Sequence, residues 1–267
     1  MGLARDITMS DGAWAWEGLR RNPAYRAAWA HHENRVPVPT DAKGSVRYLR
    51  ADKPCLEAET YGLIVFADPD LPASEAPVFW EPELLAGTLR VRLGVATREG
   101  GRADVGLSIG SLRCCPTVLD TVDGLRHIRL GGHAFWIQLT SPDRPELREE
   151  TPIEVVLDGR DGVRHRIRTV QQIIDIHEAG SVDAALPKRR PNRAKLAEGL
   201  LAYDVAMGLD GGRGTLRDVA VALFGSARIS VEWPANKSLK NYAARARDRG
   251  RLFVEGGYRS LLRSAAF

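Results

Sequence analysis

Between Asn236 and Phe253 the residue pattern admits one regular structure, an amphipathic helix. Leu239, Tyr242, Ala243, Ala246, Gly250 and Phe253 recur at the three- and four-residue spacing of a single helix face and are expected to face a core. The other positions hold Lys237, Lys240, Asn241, Arg245, Arg247, Arg249 and Arg251, with Asp248 alone opposing them. Such a helix turns small and apolar side chains inward and a dense cationic ridge outward. Asn236 is placed to start it, and Gly256-Gly257 to stop it before a short tail with Tyr258, Leu261 and Leu262. Gly250 lies on the inner face, where lacking a side chain lets another helix come close.

Two more helices precede it. Asn192 can cap the first, in which Leu196, Leu200, Tyr203 and Met207 share a face before Asp210-Gly211-Gly212 ends it. Thr215-Leu216-Arg217-Asp218 matches a capping box opening the second, whose Leu216, Val219, Ala220 and Leu223 again fall on one side. Phe224-Gly225 closes it, with Gly225 as a left-handed cap. Three helices of this kind form a helix-turn-helix-like module. Its turn departs from the usual ~3–4 residues, because Gly225 to Ala235, with Trp233-Pro234, is longer. Either the third helix starts earlier or the turn is modified.

Charge places this module on a different footing from the rest. From Lys188 onward there are 16 Lys and Arg against 7 Asp and Glu, while the preceding part has 22 against 27. An acidic body with a basic end suits a polyanion-binding module carried by something else, a solvated surface being the plainer alternative. A helix fits the major groove, where arginine contacts guanine bidentately and asparagine pairs with adenine. Lys240 and Asn241 are the expected base readers. Arg245, Arg247, Arg249 and Arg251 cannot all point one way, so several of them grip the backbone; Lys237, in the base-reading N-terminal half, and Thr215, Arg217 and Arg228 are the other expected DNA-binding residues. Duplex DNA is the expected partner.

The remainder reads as strand-rich. Trp14, Trp16, Leu19, Tyr25 and Trp29 sit in helix-forming sequence broken at Asn22-Pro23, which predicts two short helices meeting there. These aromatics suit a core better than a partner surface. Tyr61 to Phe66 predicts a buried strand, and Asp68-Pro69-Asp70 a turn. Thr88 to Val95 alternates apolar and polar residues as a half-buried strand does; Leu125–Leu130, Ala134–Leu139 and Ile153–Leu157 are further strands. Thr169 to His177 fits a short helix, with a strand as the alternative. The expected fold class is α+β: an N-terminal helical segment (1–80), a small central β-sheet (81–186) and the C-terminal helix-turn-helix-like three-helix module (187–267), with Pro187 to Asn192 as the linker.

Other chemistry finds little support. His31-His32-Glu33 lacks the four-residue histidine spacing of a zinc-protease helix and reads as a polar helix end. Cys114-Cys115 with His127 and His133 makes a poor metal site, since adjacent cysteines rarely share a tetrahedral ion. Asp68–Asp70 and Asp158–Gly162 lack the ligand series of a calcium loop. Ser108 to Ser111 is a small-residue turn, and no phosphate loop, dinucleotide fingerprint or nucleophile elbow occurs. No enzyme activity, cofactor or metal is expected. No run approaches the ~18 apolar residues of a membrane span, and three cysteines are no disulfide framework, so a reducing cytoplasm is expected.

Three stretches also resemble one family: 216–225 (LRDVAVALFG), Glu232-Trp233-Pro234 and 249–262 (RGRLFVEGGYRSLL). They are similar to proteobacterial regulators of integrative and conjugative elements, the FseA-type excision activators and QseM-type antiactivators, whose C-terminal domain is a helix-turn-helix variant once of unknown function. Residues 16–26 (WEGLRRNPAYR), with 66–70 and 77–80, look like the regulator-like N-terminal domain of that family. The resemblance implies an activator of excision or transfer genes acting near a promoter, with RNA polymerase or a related antiactivator protein as partner. The longer, two-domain layout favours the activator role; the alternative is the antiactivator role, in which the same C-terminal domain binds a related activator.

Overall fold

The computed structural model describes residues 9–32, 42–43, 46–94, 107–112, 116–132, 135–157, 162–180, 191–209 and 212–263. The chain divides into two compact units: a helical unit over Pro187–Tyr258, and a sheet unit over Met9–Leu186 to which Arg259–Phe267 also belong. The fold class is mixed α+β. Among the described residues no helix is long and apolar enough to cross a membrane.

The sheet unit opens with α1 (Asp11–Leu19) and α2 (Pro23–His31), which meet at Asn22-Pro23 as the sequence predicts. The Asn22 side chain accepts from the amides of Ala24 (2.9 Å) and Tyr25 (3.1 Å), and Pro23 takes the first helical position, where a missing N–H costs nothing. Trp14, Trp16 and Tyr25 are fully buried, so these aromatics form core. A single turn of helix, α3 (Leu56–Glu59), follows later.

Seven strands form one mixed sheet: β1 (Ala42–Lys43), β2 (Val46–Arg50), β3 (Leu89–Leu93), β4 (Thr117–Asp120), β5 (Arg126–Gly132), β6 (Phe135–Ser141) and β7 (Ile153–Val156), in the order β1-β2-β4-β5-β6-β3-β7. β2 runs parallel to β4 and β3 parallel to β6; the remaining pairs are antiparallel. Alternation divides its two faces. Leu89, Val91 and Leu93 join Val118, Ile128, Ile137, Leu139 and Ile153 on one face, which packs against Ile173 and Ile176 of α4 (Val163–Ala179). This helix is longer than the Thr169–His177 segment expected. The opposite face holds Leu49 and Leu119 against Val65 and Phe79, beside polar residues such as His127, Gln138 and Thr140.

That second face explains one correction. Tyr61 to Phe66 is not a strand: only Leu63 makes an isolated bridge, to Trp80. Gly62 stands at φ +85° and turns the chain, and the segment is apolar because it covers the sheet. Gln138, 1 % exposed, holds the neighbouring backbone with its side-chain amide, accepting from Trp80 N (3.0 Å) and donating to Trp80 O (2.6 Å).

In the helical unit, α5 (Pro191–Met207), α6 (Leu216–Phe224), α7 (Ser226–Glu232) and α8 (Lys237–Leu252) enclose Ala202, Val219, Ala220, Ile229, Leu239, Ala243 and Ala246. A π-type turn, Phe253–Gly257, leads into α9 (Tyr258–Arg263), with Gly256 at φ +146°. α5 begins at Pro191, so Asn192 lies within it rather than capping it, and Met207 is exposed rather than inward.

The long turn expected after Gly225 is itself mostly helix. α7 contributes one fully buried side chain, Ile229. Gly225 ends α6 and starts α7 at φ 87°, ψ 149°, an extended glycine conformation rather than the left-handed cap expected. α5 and α8 meet backbone to backbone, as the sequence suggests from Gly250: a Cβ there would lie 2.0 Å from Gly199 O. Gly199 is the partner that the sequence did not single out.

Candidate nucleic-acid interface

α8 starts where its cap dictates. The Asn236 side chain accepts from Leu239 N (3.2 Å), and Leu239, Ala243, Ala246 and Gly250 are buried along one face. At about 100° per residue, Lys237, Asn241 and Arg245 lie outermost and Lys240, Arg247 and Arg251 line one flank. Lys237, Asn241, Arg245, Arg247 and Arg251 are exposed. Among the described residues, Lys237, Arg245 and Arg251 enter no ion pair.

The other basic residues of α8 have partners. Arg247 donates to its neighbour Asp248 (2.9 Å and 3.1 Å). Lys240 donates to Pro234 O (3.2 Å), with its ammonium 5.7 Å from the Trp233 ring centroid, so it leans toward the α7–α8 junction. Arg249 stands apart on the opposite flank, 3.9 Å from Glu198 of α5 and over the Tyr242 ring. Tyr242, 37 % exposed, is not a core residue as its spacing suggested; its hydroxyl donates to Glu198 (2.5 Å). That hydrogen bond, with burial second, pushes the Tyr242 pKa up.

Three further predicted residues lie on other elements. Thr215 caps α6, accepting from Asp218 N (3.3 Å), while the Asp218 carboxylate accepts from Thr215 N and its hydroxyl (2.7 Å each). The Thr215 hydroxyl and amide hold the Asp218 carboxyl below its usual range. Arg217, in the same first turn, is exposed. Arg228 on α7 pairs with Glu232 (3.0 Å) and lies over the Phe224 ring (5.4 Å). The structure thus gathers six of the ten residues on the outer side and one flank of α8, and sets Arg249, Thr215, Arg217 and Arg228 elsewhere.

Residues 155–263 match the RovC-type family, described as T6SS, transcription factor, DNA binding domain. The likeness supports a DNA-binding transcriptional regulator. No curated protein matches the chain. The match reaches back over α4 to the end of β7, upstream of the basic linker. Arg164 and Arg168 of α4 are exposed there, and sequence reasoning passed over them. The signal available was the alternation Arg164, Arg166, Arg168 ahead of Thr169.

Several other candidates settle differently. Among the described residues, no group of three or more His, Cys, Asp or Glu is arranged to hold a metal. Cys114, Cys115, His133 and Asp158 to Asp161 lie outside the described residues. Ser108 and Ser111 bond each other's amides in a tight turn (3.0 Å and 3.3 Å). His32 is more than a polar helix end: its Nε2 lies 3.2 Å from Cys55 Sγ.

Proposed function

We propose that the chain is a sequence-specific DNA-binding activator whose α8 enters the major groove. The observation that carries this is the set of exposed, unpaired cations on α8 opposite its buried face. Lys240 and Asn241, in the N-terminal half, read base edges. Lys237, Arg245, Arg247 and Arg251 neutralise phosphates, and Thr215 with Arg217 at the start of α6, and Arg228, extend the backbone contacts. Arg249 contributes less, since Glu198 and Tyr242 occupy it. The resemblance of 216–225, 232–234 and 249–262 to regulators of integrative and conjugative elements points to excision or transfer genes as the targets, with recruitment of RNA polymerase as the mode of activation.

The test is selection of bound fragments from the host genome, followed by titration of the selected site at several salt concentrations. Binding should weaken steeply with salt, and Arg251→Ala should lower the slope of log K against log salt by about 0.9. Lys240→Ala combined with Arg245→Ala should weaken binding at unchanged folding. No shift on any fragment, together with capture of a related activator, would establish the antiactivator role instead.

A further inference from the structure

We propose that Cys55 is a nucleophilic thiol that takes up small soft electrophiles from a cleft in the sheet unit, with His32 as the base that accepts its proton. The inference is independent of the DNA-binding reading. Cys55 immediately precedes α3 and lines a cleft of about 1050 Å³. That is enough space for a small organic molecule. The residue is 7 % exposed, with the cleft beside it.

Three groups form a chain. Cys55 Sγ lies 3.2 Å from His32 Nε2, and His32 Nδ1 lies 3.6 Å from Glu57 Oε2. The imidazole is held in place by its position at the end of α2, where His32 N donates to Trp29 O, and by the Phe66 ring 4.6 Å away. A nucleophile within reach of a base, itself oriented by a carboxylate, is the arrangement that activates a thiol or hydroxyl.

The surroundings of the sulfur suit the charge it must carry. The backbone N–H groups of Ala58 and Phe66 stand near it and favour its charged form. Burial, with Glu57 and Glu59 adding to it, pushes the Cys55 thiol up, so Cys55 rests as the protonated thiol. Moving the proton from Sγ to Nε2 creates a thiolate facing two N–H groups and an imidazolium facing Glu57. Reactivity therefore depends on His32 rather than on a thiolate already present.

With iodoacetamide as the probe, the sulfur forms the S–C bond, the C–I bond breaks, iodide leaves, and the proton passes through His32 to water. Full-length protein is labelled for increasing times and the Cys55 peptide is quantified by mass spectrometry. His32→Gln should slow Cys55 labelling at pH 7 by roughly tenfold or more, and Glu57→Gln by less. Loss of folding in either variant would expose the thiol and speed labelling, so a slower rate cannot come from unfolding. The wild-type rate should hold a shoulder below pH 8, whereas the His32→Gln rate should climb about tenfold per pH unit, as an ordinary thiol does. A Cys55 that resists labelling under conditions that alkylate glutathione, or labels equally fast in wild type and His32→Gln, would overturn the proposal. So would a wild-type rate that climbs without a shoulder through pH 9.

Discussion

Replacing Gly250 by alanine sets two effects against each other. As a substitution inside a helix it should stabilise by about 1 kcal/mol, alanine's propensity advantage over glycine. As a packing change it puts a Cβ 2.0 Å from Gly199 O, 2.7 Å from Gly199 C and 2.9 Å from Tyr203 Cβ. Ordinary C···O contacts close at about 3.3 Å, and a backbone carbonyl has no rotamer to escape into. α5 and α8 must therefore part by about 1 Å at their crossing, which disturbs the packing around Ala243 and Ala246. Overpacking at the upper end of its range, about 3 kcal/mol, less the propensity gain, leaves a net loss of about 2 kcal/mol. For a unit of this size that lowers Tm by about 8–16 °C. Calorimetric melts of the full chain measure it, with two internal standards. At Gly199 a Cβ would lie 3.2 Å from Gly250 N, so Gly199→Ala should fall between; at Gly212 it would meet nothing within 4 Å, so Gly212→Ala should be neutral. Propensity alone predicts that Gly250→Ala and Gly199→Ala both melt above wild type. That result would refute the tight crossing.

Two other outcomes follow from single side chains. Thr215→Ala removes one half of the α6 capping box and should cost about 1 kcal/mol; NMR titration should show the Asp218 carboxyl returning toward its usual range, and an unmoved Asp218 would contradict the assigned hydrogen bonds. His127, 3 % exposed on β5, is pushed down from 6.5 to about 4 by burial, against the pull of Asp123 and Asp120. The unfolded chain takes up a proton there below pH 6.5 that the folded chain refuses until about 4. The stability contributed by the neutral ring is thus complete above 6.5 and drains away between those values, by up to about 3 kcal/mol. Urea titrations at pH 7 and 4.5 should show a smaller acid loss in His127→Leu, and an equal loss would place the pH sensitivity elsewhere.

What was legible in the sequence is what local periodicity and caps determine. Asn22-Pro23, the Leu89–Leu93 alternation, the Thr215–Asp218 box and the face of α8 each declare themselves within a few residues. Tyr61 to Phe66 misled because an apolar run that covers a sheet is as apolar as a strand within one, and only the φ of Gly62 separates them. β2 and β4 escaped notice because they pair in parallel across some seventy residues, a partnership with no local mark. α7 was hidden because seven residues with one buried side chain show no period. At the candidate interface, the run of basic residues was plain, but the diversion of Arg249 depended on Glu198 in another helix. His32 read as a polar helix end because Cys55 and Glu57 reach it only through the fold.

The sheet unit is interrupted in the chain. Residues 259–263 return to it, and Leu262 O accepts from Ala86 N (2.9 Å). During synthesis that bond cannot close when β7 emerges; it waits while the ribosome adds about a hundred more residues, some 5–20 s at ordinary elongation rates. The helical unit is finished first, although its genetic code comes later than almost all of its neighbour's. A truncation at the basic linker would accordingly yield a body with an open seam.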